Sequence, residues 1–143
     1  MKKFQHLFFI LLFYSCSGTI EQKGKIIDIK QEDISNEDIQ AHQFLDCMYS
    51  DSFFPEHMVD KCKNILLNLC LEIEKQKPKS LEKLYGLTHA STEKINLLQD
   101  EFFENNSEIE TVARECLGRD FLFIAKSYGF DADAEELITN REW

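Results

Sequence analysis

Thiols and imidazoles are the side chains of this 143-residue chain best suited to nucleophilic or metal chemistry, and their spacing limits what that chemistry can be. Cys47, Cys62, Cys70 and Cys116 lie in the body of the chain, while a fifth, Cys16, closes an apolar run near its start. Cys62 and Cys70 are eight positions apart on one helical pattern. That is about 12 Å along the axis, beyond the Cα separation a disulfide tolerates, so they do not pair with each other. Pairing across helices stays open, as do a metal site and a reactive thiol; the simplest role for all four is as small apolar fillers on buried faces. CxxC, HExxH and ExxH spacings are absent, so a zinc or di-iron site has no support and no cofactor is expected.

His42 with Asp46 and His89 with Glu93 are spaced i, i+4, and His57 precedes Asp60 by three. On a helix such neighbours meet, and a carboxylate beside an imidazole raises its basicity, which is how a general base is made. Exposed ion pairs use the same spacing, however, and nothing nearby supplies a nucleophile, a phosphate-cradling loop or an oxyanion nest. Phe53 and Phe54 stand in residues 44–55 (FLDCMYSDSFFP), which are crowded with aromatics for a helix junction. Such a cluster either seals one end of a bundle or lines a ligand groove. A small-ligand binder or enzyme built from this chain would use His57, His89 and the Phe53–Phe54 cluster.

Charge narrows the partners. The formal net charge is −10, and residues 1–15 carry Lys2 and Lys3 and no acid, so the remainder has 14 basic against 26 acidic side chains. A surface that acidic repels a polyphosphate, and nucleic acid is therefore not an expected ligand. From Asn96 to Trp143 there are twelve acids against Arg114, Arg119, Lys126 and Arg141, whereas Lys75, Lys77, Lys79 and Lys83 form a small basic corner. Asp100, Glu101, Glu104 and Glu108 are the acids best grouped to dock a basic protein; the alternative is that they serve solubility and helix starts.

The chain opens with Lys2, Lys3 and His6 ahead of the apolar residues 7–14 (LFFILLFY), then Ser15-Cys16-Ser17-Gly18. This is the order of a signal peptide, and eight apolar residues span only about 12 Å of helix against a hydrocarbon core of about 30 Å. A cysteine closing such a run resembles the lipobox of bacterial lipoproteins, although Phe13 stands where Leu is usual and Tyr14 where a small residue is usual, so that only Ser15 and Cys16 fit. The expectation is a signal over residues 1–16, with an acyl group on Cys16 holding the protein to a bacterial membrane in the cell envelope. A plain cleaved signal, an uncleaved anchor and a cytoplasmic location are the alternatives. Residues 17–34 are short on large apolar groups and are expected to form a flexible tether, with the IIDI stretch as a segment able to dock or form a short strand.

Residues 35–143 carry helical periodicity throughout. Ser35 with Asp38, and Ile34 with Ile39, mark a helix start, and Ile39, Phe44, Leu45 and Met48 extend the apolar face to about Ser50. Pro55 opens a long helix along Met58, Cys62, Ile65, Leu66, Leu69, Cys70 and Ile73 that Pro78 ends. Ser80 caps a third along Leu81, Leu84, Leu87, Ile95, Leu98 and Phe102, and Asn105-Asn106 breaks it. Ser107-Glu108-Ile109-Glu110 matches a capping box opening a fourth helix, with Gly129 as its left-handed stop and Phe130 in the Schellman position. Asp131 or Asp133 starts a short fifth helix that buries Leu137 and Ile138. The predicted fold is all-α, an irregular antiparallel four-helix bundle with a short C-terminal fifth helix.

Three phrases carry a family resemblance: FLDCMYSDSFFPEHMVDK (44–61), EKQKPKSLEKLYGLTHASTEKIN (74–96) and NSEIETVARECLGRDFLFIAKSYGFDADAEELITNREW (106–143). Together they resemble the uncharacterised bacterial domain-of-unknown-function family 5713, over about 100 residues. The resemblance implies a helical domain with no assigned activity, so it transfers no functional residues. Family members generally begin near the first helix without an export signal, and this chain departs from them there. The expected function is a lipid-anchored, non-enzymatic acidic protein, immunity- or adaptor-like, that binds another protein.

Overall fold

Cap residues and apolar spacing set the element boundaries across residues 28–143, which a computed structural model describes. The elements are α1 (Glu37–Ala41), α2 (Asp46–Tyr49), α3 (Glu56–Gln76), α4 (Leu81–Asn96), α5 (Gln99–Glu104), α6 (Thr111–Ser127) and α7 (Ala134–Leu137). They make an all-α bundle with a short C-terminal helix, and no strand occurs among the described residues. The longest helix, α3, follows its sequence pattern: Pro55 occupies the N-cap, Met58, Cys62, Leu66, Leu69, Cys70 and Ile73 are buried, and Lys77 ends it at φ 48°. Phe102 of α5 and Phe121 of α6 are the largest fully buried side chains. Burying a side chain of that type stabilises by roughly 1.5–3 kcal/mol.

The first expected helix is two. Asn36, rather than Ser35, caps α1 by accepting the N–H groups of Asp38 and Ile39 at 3.0 and 3.2 Å. The chain then breaks at Leu45, which adopts φ 55°, because its N–H donates at 2.7 Å to the buried carboxylate of Asp120 on α6. A non-glycine residue in the left-handed region is strained, and the buried charged acceptor offsets that cost.

The third expected helix also divides. Asn96 is buried at the end of α4, donating to the Asn140 carbonyl at 3.1 Å and accepting the Glu142 N–H at 3.1 Å. The C-terminal segment thus pins the helix end, and the chain turns through Leu97 and Leu98 into α5. Asn106 stops α5 at φ 57°, with the Ser107 N–H on the Phe102 carbonyl and the Asn106 N–H on the Phe103 carbonyl, a Schellman closure. Ser107 is consequently spent on ending one helix and does not cap the next. Glu110 caps α6 instead, its carboxylate accepting the Val112 N–H at 3.2 Å. Gly129, at φ 83°, ends α6 with the Phe130 N–H on the Ala125 carbonyl at 3.0 Å, as its spacing predicts. Asp133 caps α7, and Leu137, Ile138 and Trp143 are buried.

Residues 28–34, the end of the segment expected to be a tether, lie against the bundle. The Ile29 N–H donates to Asn64 at 2.9 Å, Gln31–Asp33 form a 3₁₀ turn, and Ile34 is fully buried. Residues 1–16, Cys16 among them, and residues 17–27 fall outside the described part. Glu74 fastens the docked segment by accepting the N–H groups of Ser35 and Asn36, each at 3.0 Å, and the Tyr128 hydroxyl at 2.9 Å. Partial burial pushes the Glu74 carboxyl up, but the three donors outweigh it and hold the group below its ordinary 4.5. A depressed carboxylate contributes stability that is complete above its unfolded value and is lost as pH falls through its folded value. Thermal melts of wild type and Glu74→Gln are therefore expected to differ at neutral pH and to draw together progressively as the pH falls below 4.5. A gap that persists unchanged in acid contradicts this account of Glu74.

Candidate functional site

Two places concentrate polar chemistry, and the first is α5. Its Phe102 is buried, while Phe103 is 78% exposed and Leu97, just before the helix, is 81% exposed. Asp100, Glu104 and Glu108, in or next to α5 in sequence, are exposed too, and among the described residues none of the three has an ion-pair partner. Glu101 differs, because Lys61 on α3 takes its carboxylate. Three of the four acids singled out from sequence thus remain free, and the two large exposed apolar side chains fall outside the stripe of Leu98 and Phe102.

The second place is the junction of α2 and α6. Asp120 is fully buried, accepting from His42 Nε2 at 2.9 Å as well as from Leu45, with Arg119 Nε 3.6 Å away. His42 stacks on Phe123, with ring centroids 3.8 Å apart, and meets Phe44 edge-on at 4.6 Å. Its partner is therefore Asp120 and not Asp46, the residue its spacing suggested. Asp46 instead pairs with Arg119, whose guanidinium holds the Asp46 carboxyl below the usual carboxylate range. A depression of about 530 Å³ opens beside His42, lined also by Gln40, Asp46, Tyr49 and Lys63. Ser50, also in the lining, donates its hydroxyl to the Asp46 carbonyl at 2.6 Å, and the Tyr49 hydroxyl donates to Asp60 at 2.7 Å. The His42–Asp120 pair accordingly acts as a fastening that holds the Leu45 break against α6. Asp120 was missed in sequence, although an acid inside the stripe of Leu117, Phe121 and Ile124 signals a buried charge in need of a partner.

Cys47 on α2 and Cys116 on α6 form a disulfide, with Cα atoms 6.2 Å apart, so pairing across helices holds for these two. Cys62 and Cys70 are free and buried, and burial pushes each thiol up to about 12, which removes them as nucleophiles at neutral pH. Asp46, Cys47 and Cys116 bring their ligand atoms within 4.8 Å of one another. The Arg119 guanidinium pairs with Asp46 and lies 3.5 Å from the Cys47 sulfur, so a cation already fills that corner.

The model of a family of unknown function, DUF5713, matches residues 38–143. The chain belongs to that family. No curated protein and no solved structure matches it. Within the DUF5713 domain, the rival constellation read from sequence is dispersed. His57 is exposed near the start of α3, whereas His89 on α4 bonds through Nε2 to the Glu136 carbonyl at 2.7 Å and stacks on Tyr85. Asp60 accepts the Tyr49 hydroxyl at 2.7 Å and Glu93 accepts from Asn140 at 2.7 Å, so neither carboxylate serves its neighbouring histidine. Phe54 is buried with Phe53 edge-on against it, and no hydrogen bond or ring contact joins either to His57 or His89 among the described residues.

Proposed function

We propose that this DUF5713 protein is a non-enzymatic docking protein, exported and lipid-anchored through Cys16, that binds a basic protein through the exposed face of α5. The observation that carries this is the exposure of Leu97 and Phe103, at 81% and 78%, among the unpaired carboxylates of Asp100, Glu104 and Glu108. Large apolar side chains left in water beside fixed charge match the anatomy of an interface, in which a few aromatic or aliphatic anchors give affinity and the charges steer encounter. The partner fitting this face carries an apolar socket rimmed by Lys and Arg. An immunity-like or adaptor-like role follows from occupying such a surface.

The disulfide supports export, since disulfides persist in oxidising compartments outside the cytoplasm. No helix of the described residues is long and apolar enough to cross a membrane, and the attachment proposed is the lipid on Cys16. Between Cys16 and the docked Asp28, residues 17–27 can reach at most about 40 Å. Stable anchoring takes more than one acyl chain.

Photo-cross-linking in the native host tests the docking face. A benzophenone side chain at position 103 is expected to capture one basic protein, and the same group at the exposed position 131 to capture none. The Asp100→Lys, Glu104→Lys and Glu108→Lys triple variant is expected to weaken that adduct tenfold or more. Loss of the adduct at position 103, or an adduct indifferent to charge reversal, rules the face out.

A further inference from the structure

The Cys47–Cys116 disulfide closes a sequence separation of 69 residues, and its two ends differ in surroundings. Cys116 is 1% exposed on the buried stripe of α6, whereas Cys47 is half-buried. Arg119 lies one turn beyond Cys116, with Nη2 3.5 Å from the Cys47 sulfur and 3.7 Å from the Cys116 sulfur. Its ion pair with Asp46, the chain neighbour of Cys47, holds the guanidinium in that position. Reactive cysteines occupy partly exposed sites beside cations, and inert ones sit among apolar groups. Cys62 and Cys70 illustrate the inert case; Cys47 meets the reactive description, and Cys116 is buried but shares its cation.

We propose that Cys47–Cys116 is a thiol–disulfide exchange site, opened by an external dithiol that attacks Cys47 and releases Cys116 as a thiolate beside Arg119. One thiolate of the dithiol bonds to the Cys47 sulfur while the Cys47–Cys116 bond breaks and its electron pair goes to the Cys116 sulfur. The second thiolate then attacks the dithiol sulfur of this mixed disulfide, closes an external disulfide and frees Cys47 as a thiolate. The dithiol loses two electrons, the protein pair gains two, and the protons shed by the dithiol pass through solvent to the released thiolates. Exposure selects Cys47 as the sulfur attacked. Attack there makes Cys116 the leaving group, and Arg119, 3.7 Å from its sulfur, favours the departure, because a cation within about 4–6 Å lowers an acid's pKa by about 1–3 units and a less basic thiolate departs faster. Opening unlinks α2 from α6 at the sulfurs, while the Asp120 bonds to His42 and Leu45 keep the two elements in register.

The test equilibrates the full chain with mixtures of reduced and oxidised dithiothreitol, quenches with acid, and counts Cys47 and Cys116 thiols by alkylation and peptide mass spectrometry. Arg119→Met is expected to need about a tenfold higher ratio of reduced to oxidised dithiothreitol for half-reduction, equivalent to about 30 mV for this two-electron couple. Arg119→Lys keeps the charge and is expected to stay near wild type. A brief pulse of glutathione is expected to leave its adduct on Cys47. Reduction of Arg119→Met as readily as wild type, at matched helix content by circular dichroism, overturns the proposal. So does a glutathione adduct on Cys116.

Discussion

Asp120→Ala is expected to destabilise the protein by about 3–5 kcal/mol, because it removes two hydrogen bonds to a charged acceptor worth roughly 1.5–3 kcal/mol each. Alanine there leaves the Leu45 N–H without its acceptor at 2.7 Å and the His42 ring without its carboxylate at 2.9 Å. A stranded buried donor alone costs about 1–3 kcal/mol, and the left-handed Leu45 loses the interaction that offsets its strain. Asp120→Asn keeps an acceptor and nearly the same volume, so its cost is expected to be smaller, about 1–2 kcal/mol. Urea unfolding with an unchanged slope and a lowered midpoint checks both. Equal small losses in the two variants contradict the fastening role of the carboxylate.

Removal of the disulfide is the second large effect. Tying two residues that are 69 positions apart restricts the unfolded chain strongly. Loop-closure entropy for a ring of that size corresponds to about 4 kcal/mol at 25 °C, although strain in the native state can reduce it. The Cys47→Ala, Cys116→Ala double variant is therefore expected to lose about 4 kcal/mol. The unfolding slope is expected to rise, because the unlinked denatured chain exposes more surface. A double variant as stable as wild type, with the same slope, means the link contributes nothing in the unfolded state.

The helix-bearing parts of the sequence were legible where local rules decide. The stripe from Met58 to Ile73, the Ser80 cap of α4, the Gly129 stop and the Asp133 cap are each fixed by residues within a turn of where they act. The failures share a physical cause, which is long-range partnership. Ile39, Phe44, Leu45 and Met48 keep helical spacing across a break that Asp120 imposes from 75 positions away. Ser107 fits a capping box by type, yet the preceding helix has already used its backbone to close on Phe102. The third helix runs past Asn96 in pattern, and only docking of residues 140–142 explains its turn.

The candidate site was half legible for the same reason. Acid density located Asp100, Glu104 and Glu108, and the stripe through Leu98 and Phe102 left Leu97 and Phe103 off the core face, but nothing in periodicity marks an exposed apolar side chain as a docking anchor. Near-neighbour spacing paired His42 with Asp46 and His89 with Glu93, whereas the fold gives them Asp120 and the Glu136 carbonyl, 78 and 47 positions away. Cysteine spacing excluded the Cys62–Cys70 pair, and the tertiary approach of α2 to α6 then selected Cys47 and Cys116.

Export, tethering and the covalent lock meet in the mass of the protein as its native cell makes it. Mass spectrometry of that protein, with thiols blocked at lysis and without reduction, is expected to find a chain starting at an acylated Cys16 and a linked Cys47–Cys116 peptide, with Cys62 and Cys70 as thiols. A chain beginning at Met1 with all five cysteines reduced contradicts the account.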